Sequence, residues 1–191
     1  RGHIRTNEGR FEFRGHLEDI EHHTRLFHEN CHKLGYDKFL RLPVFIDWNI
    51  GNFSVAKDGS FYSRWDYDWF RVSSRVLDFY FFSRVVSEGG DQTVFSYVAS
   101  PLMEERFLLF LDSYHSIYPL SANEVHFIKE AYRFFILNYV IKDGRYFFHD
   151  YYANRLQQEA FLQYLPDLDQ QLDTDQLVDY LQIRSVPHED Q

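Results

Sequence analysis

Residues Pro43 to Val55 read PVFIDWNIGNFSV, and this stretch organises the rest of the chain. Leu42 to Asp47 is a short apolar run that predicts a strand entering a loop. Asp47 stands at its end, and Asn52 follows five residues later. Phe53 to Ala56 predicts a second strand. Lys57-Asp58-Gly59-Ser60 predicts a hairpin turn, because Asp-Gly supplies the positive φ that such turns need. Phe61 to Trp65 returns as the partner strand and runs into Trp65-Asp66-Tyr67-Asp68. Asp78 lies twelve residues beyond Asp66, inside the apolar run VLDFYFF.

Phosphoryl transfer asks for this kind of residue set. An acceptor hydroxyl must be oriented toward the γ-phosphate, and a carboxylate can take its proton. Phosphate charge must be offset by Mg2+, which prefers oxygen ligands. A strand-end carboxylate with an amide oxygen five residues on puts both on one tight loop. A second carboxylate delivered by the next hairpin can complete a metal site. Taken singly, each residue has a plainer reading: Asp47 begins a turn, Asn52 caps one, and Asp66 and Asp68 are solvated strand-end acids.

Around this core the pattern is helical. Residues 18 to 34 predict a first helix, closed by Gly35. Ser73 or Ser74 could cap a helix reaching Val86, apolar on nearly every side and so expected to be buried. Gly89-Gly90 breaks it. Pro101 suits the first turn of the next helix, to about Tyr114. Ser121 and Glu124 have capping-box spacing ahead of a long helix, in which Val125, Ile128, Tyr132, Phe135 and Tyr139 recur at helical spacing. Asp143-Gly144 closes that helix. Further helices are expected at 150–164 and 175–182, the second capped by Thr174. The tail from Pro187 reads as frayed. The expected fold class is mainly α with a small β-hairpin region, an α+β arrangement, with residues 1–191 forming one unit.

Composition narrows the function classes. The chain has 191 residues, 45% of them hydrophobic, with 20 Phe and 14 Tyr, which excludes a disordered tail. Most of these rings belong in a bulky helical core, although an aromatic-lined pocket for a cationic ligand has the same composition. The net charge of −9 argues against a nucleic-acid partner. A single cysteine, Cys31, fits a reducing, cytoplasmic setting. No apolar run reaches the roughly 20 residues of a membrane span, so no membrane partner is expected. A start at Arg1 is read as a fragment, a processed product or a partial chain.

In order and spacing these elements resemble the aminoglycoside phosphotransferase and choline kinase-like families, which share the protein kinase-like fold. Their catalytic loop reads His-Gly-Asp-x-x-x-x-Asn, and a later strand reads Ile-Asp-Phe/Trp-Asp/Glu. The equivalents are Phe45-Ile46-Asp47-x-x-x-x-Asn52 and Trp65-Asp66-Tyr67-Asp68. Asp78 matches an Asp beneath the catalytic loop. FLDSYHSIYPLSANEV, Phe110 to Val125, resembles a helix ending in Tyr and a following Pro-Leu-Ser/Thr-x-x-Glu helix start. The resemblance covers residues 18 to 165.

It implies the C-terminal, catalytic-loop lobe of a kinase-like enzyme that uses ATP and Mg2+ to phosphorylate a hydroxyl of a small molecule. Asp47 would orient or deprotonate the acceptor. Asn52 and Asp66 would bind Mg2+. Asp78 would support the loop, with backbone amides as its expected donors, and Asp68 is a weaker candidate behind them. It identifies no substrate-binding residue. Phe45 and Ile46 stand where the family has His and Gly. Residues 1 to 46 offer no phosphate loop and no strand lysine, so the N-terminal nucleotide lobe is a missing partner and this chain alone should bind ATP poorly. The alternative is a binding or regulatory module that keeps the fold without catalysis.

Other chemistries have thinner support. His28 and His32 have a spacing that can bind zinc, but the stretch is no H-E-x-x-H, and a solvated helix face explains it. No G-x-S-x-G is present, and Gly89-Gly90 is no dinucleotide fingerprint.

Overall fold

The computed structural model describes residues 11–89 and 96–182. Over these the protein is mostly helical with a small β region, an α+β arrangement. The first helix, α1 (Leu17–Lys33), ends where Gly35 turns left-handed at φ 67° and donates to the His32 carbonyl. Four short strands follow: β1 (Arg41–Val44), β2 (Phe53–Val55), β3 (Phe61–Arg64) and β4 (Arg71–Ser74). They form two antiparallel pairs, β1 with β4 and β2 with β3. The β2–β3 hairpin turns at Gly59, whose φ of 84° is the positive value expected there.

β4 was not expected. The sequence from Ser73 suggested a helix cap, and Ser74 does accept from the Val76 amide at 3.4 Å. Before doing so, however, the segment pairs along β1, with Val44 opposite Arg71 and Arg41 opposite Ser74. β4 buries two consecutive serines, Ser73 and Ser74, and leaves Val72 exposed, so it lacks the apolar-in, polar-out alternation that marks a half-buried strand. One turn of 3-10 helix, Arg75–Asp78, then leads into α2 (Phe79–Val86).

The helical body is α2, α3 (Glu105–Ile117), α4 (Ala122–Phe135), α5 (Gly144–Phe147), α6 (Asp150–Glu159), α7 (Leu165–Gln171) and α8 (Thr174–Tyr180). Pro101 sits in a separate 3-10 turn, Ser100–Met103, and extended backbone at Glu104 divides it from α3. α4 opens with both halves of the Ser121–Glu124 capping box and runs through the centre of the core. Its Tyr132 and Phe135 meet Tyr80 and Phe81 of α2 at ring separations near 5 Å (4.9 and 5.1 Å). The long helix expected to Asp143 changes character on the way, because Ile136–Lys142 is π-helical. The region expected as one helix at 150–164 is α6 plus a π-helical turn, Ala160–Tyr164, and it continues into α7 past Pro166. Proline is accepted there because the first turn of a helix needs no amide from it. α8 is capped by Asp173, whose carboxylate accepts from the Asp175 and Gln176 amides; Thr174 is its first residue.

Two buried ionic links fasten the body. Arg75, just past β4, reaches Glu124 through two hydrogen bonds (2.8 and 3.1 Å) and also donates to the Pro119 carbonyl at 2.6 Å. Arg133 and Glu130, 1% and 2% exposed, pair at 2.9 Å, and Glu130 accepts from Asn30 of α1 at 2.8 Å. Among the described residues no helix is long and apolar enough to cross a membrane. The expected break at Gly90 and the expected fraying from Pro187 lie outside the described residues.

Candidate active site

The site grows from the point where β1 ends. Phe45 leaves the strand, and Ile46 takes φ 64°, a left-handed value that is an outlier for a β-branched side chain. The next two amides fold back, Asp47 N onto the Phe45 carbonyl at 2.7 Å and Trp48 N onto the Ile46 carbonyl at 3.0 Å. Such a bend costs about 1–3 kcal/mol and persists only where its surroundings hold it. Asp78 supplies that hold. One of its carboxylate oxygens accepts from the Phe45 amide at 3.0 Å and the Ile46 amide at 2.6 Å. Burial raises the Asp78 pKa, and these two donors oppose the rise.

Asp47 is 9% exposed. Burial pushes its pKa up to about 6, with the Asp66 charge adding to the rise. A hydrogen bond from Asn49 and the cations Arg64 and Arg84 pull the other way. A carboxylate poised at this value is ionised at neutral pH yet basic enough to take a proton in a transition state. Asn52 closes the loop. Its side-chain nitrogen donates to the Asp47 carbonyl at 3.3 Å, and its own carbonyl accepts from the Trp65 amide at 3.0 Å. The amide nitrogen is thus committed to the loop, which leaves the amide oxygen as a ligand.

Asp66 follows β3 and is also left-handed, at φ 67°, a conformation Asp tolerates better than Ile. Its exposed carboxylate accepts from the Asp68 amide at 3.2 Å. The Asp68 side chain is itself exposed on that turn. The structure therefore brings together Asp47, Asn52 and Asp66, sets Asp78 beneath them, and leaves Asp68 at the edge.

Sequence reasoning missed Arg64. Its guanidinium carbon lies 4.4 Å from the ring centroids of both Phe45 and Trp48, in the corner that the two rings make with each other. Its Nη2 donates to the Asp47 carbonyl at 3.0 Å and to the Asp66 carbonyl at 3.2 Å. The available signal was a strand-end arginine two residues before Asp66 in a run of rings, which reads at first sight as a solvated edge. Asn49, the partner of Asp47, was missed as well.

Among the described residues no three His, Cys, Asp or Glu side chains cluster as a metal site. His28 borders a groove of about 570 Å3 with Phe27 and Phe134. None of the site carboxylates lines that groove. Mg2+ asks for less, one or two carboxylates with waters and phosphate oxygens completing its shell. The exposed Asp66 carboxylate, which accepts one backbone hydrogen bond, and the amide oxygen of Asn52 fit that demand. Ahead of β1 the described residues form α1 and short 3-10 turns, with no strand that could carry a phosphate-binding lysine. Comparison with family models, curated proteins and solved structures finds no match to the chain.

Proposed function

We propose that the chain is the catalytic-loop lobe of a kinase-like small-molecule phosphotransferase that uses ATP and Mg2+. The observation that carries this reading is Asp47, a buried carboxylate with a pKa near 6, on a bent loop clamped by Asp78 and adjoining Asn52 and Asp66. An acceptor hydroxyl placed beside Asp47 loses its proton to that carboxylate. A bond then forms between the acceptor oxygen and the γ-phosphorus as the bridging P–O bond to ADP breaks. Asn52 and Asp66 are the residues to hold Mg2+, which would offset the phosphate charge.

The nucleotide lobe is a partner that this reading requires. Leu42, Phe61, Tyr62, Trp65, Phe70 and Val72, on the strands and turns around the site, are exposed apolar side chains that such a lobe could cover. The acidic charge and lone cysteine suit a cytoplasmic enzyme.

A second reading, a binding module without catalysis, is favoured by Phe45 and Ile46 at the catalytic-loop positions where His and Gly would be expected. Both are tested on the full-length protein. Thermal shift with ATP and Mg2+ is measured first, then ADP release across a panel of hydroxylated small molecules. Stabilisation with turnover that disappears in Asp47→Asn supports the enzyme. Stabilisation without turnover supports the module. No shift and no turnover refutes the kinase-like reading.

A further inference from the structure

We infer that Arg64 is a positioning residue that locks the Asp47 loop and the Asp66 loop into one unit. The catalytic meaning of this lock rests on the phosphotransferase reading, but the lock itself is a matter of geometry. Arg64 is the last residue of β3 and pairs with Phe53 of β2. Its backbone therefore belongs to the strand that leads to Asp66, and its carbonyl accepts from the Tyr67 hydroxyl at 3.2 Å. Its side chain crosses to the other loop. The rings that grip it, Phe45 and Trp48, flank Ile46 and Asp47 in sequence and meet each other edge to face at 5.5 Å. The same Nη2 then donates to a carbonyl on each loop. Neither loop can swing away without breaking a hydrogen bond, and the Asp47 loop must also break the two cation–π contacts.

Ordinary stabilisation does not account for this arrangement. Among the described residues Nε and Nη1 of Arg64 are buried with no hydrogen-bond partner, which costs free energy. Its charge faces Asp47, Asp66 and Asp78, yet its hydrogen bonds go to main-chain carbonyls. A planar, forked cation can rest in the corner of two rings and still donate at its edge. Lysine keeps the charge and loses that geometry.

The test is amide hydrogen exchange on the full chain, comparing the wild type with Arg64→Met and Arg64→Lys. The reporters are Ile46, Asp47 and Trp48 on one loop and Trp65 and Asp68 on the other, all hydrogen-bonded amides. Both variants should speed exchange on both loops together, by about tenfold or more, while amides of α4 stay unchanged. Acceleration of one loop only, of neither, or of the whole chain equally overturns the inference, as does full protection by lysine. Phe45→Leu, which removes one ring and leaves the arginine, guards against a variant that fails to fold; it should loosen both loops to a lesser degree, and an unmoved Trp65–Asp68 segment overturns the lock. Mn2+ with ATP separates this inference from the functional reading. Metal protection of Ile46–Trp48 in the wild type that is lost in Arg64→Met supports both. In the full-length protein, with the nucleotide lobe that this reading requires, no metal protection in the wild type counts against the phosphotransferase, while metal-free exchange still decides the lock.

Discussion

The helical body and the β region in front of it use the same kinds of residue in opposite ways. In the body, Tyr80, Tyr132 and Phe135 are buried against one another, and the buried charge of Arg133 meets Glu130. In front, Tyr62 is 76% exposed and Trp65 48%, Ile46 and Asp66 are left-handed, and Asp47 ionises late. Residues of similar size and polarity are satisfied in one place and held under strain in the other. Strain of this kind is retained where a ligand, a partner lobe or a reaction needs it.

The contrast can be broken most sharply from the body. Glu130→Ala takes the nearer carboxylate, at 2.9 Å, from the buried Arg133 and leaves it the more exposed Asp169 at 3.4 Å, and should cost about 3 kcal/mol in urea unfolding. A loss below about 1 kcal/mol would mean the body is no better satisfied than the front. Asp78→Ala removes the acceptor of the Phe45 and Ile46 amides at the boundary between the two regions. It should cost about 2–3 kcal/mol and loosen the loop before the helices.

Asp47→Asn should move the other way. A group whose folded pKa lies above its unfolded value stabilises the fold only while protonated. Ionising Asp47 therefore costs stability as pH rises from near 4 through about 6. The substitution should gain on the order of 1–2 kcal/mol at pH 7, seen as a Tm higher by about 2–8 °C. The gain should vanish below about pH 4. On the proposed phosphotransferase reading, turnover should fall by about 10²–10⁴. A destabilised Asp47→Asn would show that the site is not held at a cost. Tyr62→Ser, on the exposed face, should stay within about 0.5 kcal/mol by the same denaturation assay. A larger loss would show that the front has a core of its own.

What was legible in the sequence was mostly local. The Ser121–Glu124 box and the Asp58-Gly59 turn each depend on a few neighbouring residues, and a reader needs no distant partner to see them. Asp78 was legible for a different reason, since a carboxylate in an apolar helix has to find donors. β4 was hidden because its buried residues are the serines Ser73 and Ser74, and its partner lies some thirty residues upstream across both loops. Arg64 was hidden because its meaning depends on Phe45 and Trp48, which only the fold brings to it. The π-helical stretch at Ile136–Lys142 keeps apolar spacing close enough to a helix that periodicity does not separate the two. The Thr174 cap was one residue late because both Asp173 and Thr174 are good caps.

The β1–β4 pair has a consequence for how the molecule could change over time. Val44 and Arg71 face each other, so everything between them, including Asp47, Asn52 and Asp66, leaves and re-enters the body at one place. Lengthening such a closed excursion is cheap, because closure entropy grows only with the logarithm of its length. The segment between those strands is a cassette. Insertions at the exposed Asp58-Gly59 tip can accumulate without the helices registering them, whereas an insertion inside β1 or β4 would shift Asp78 out of reach of the loop it holds.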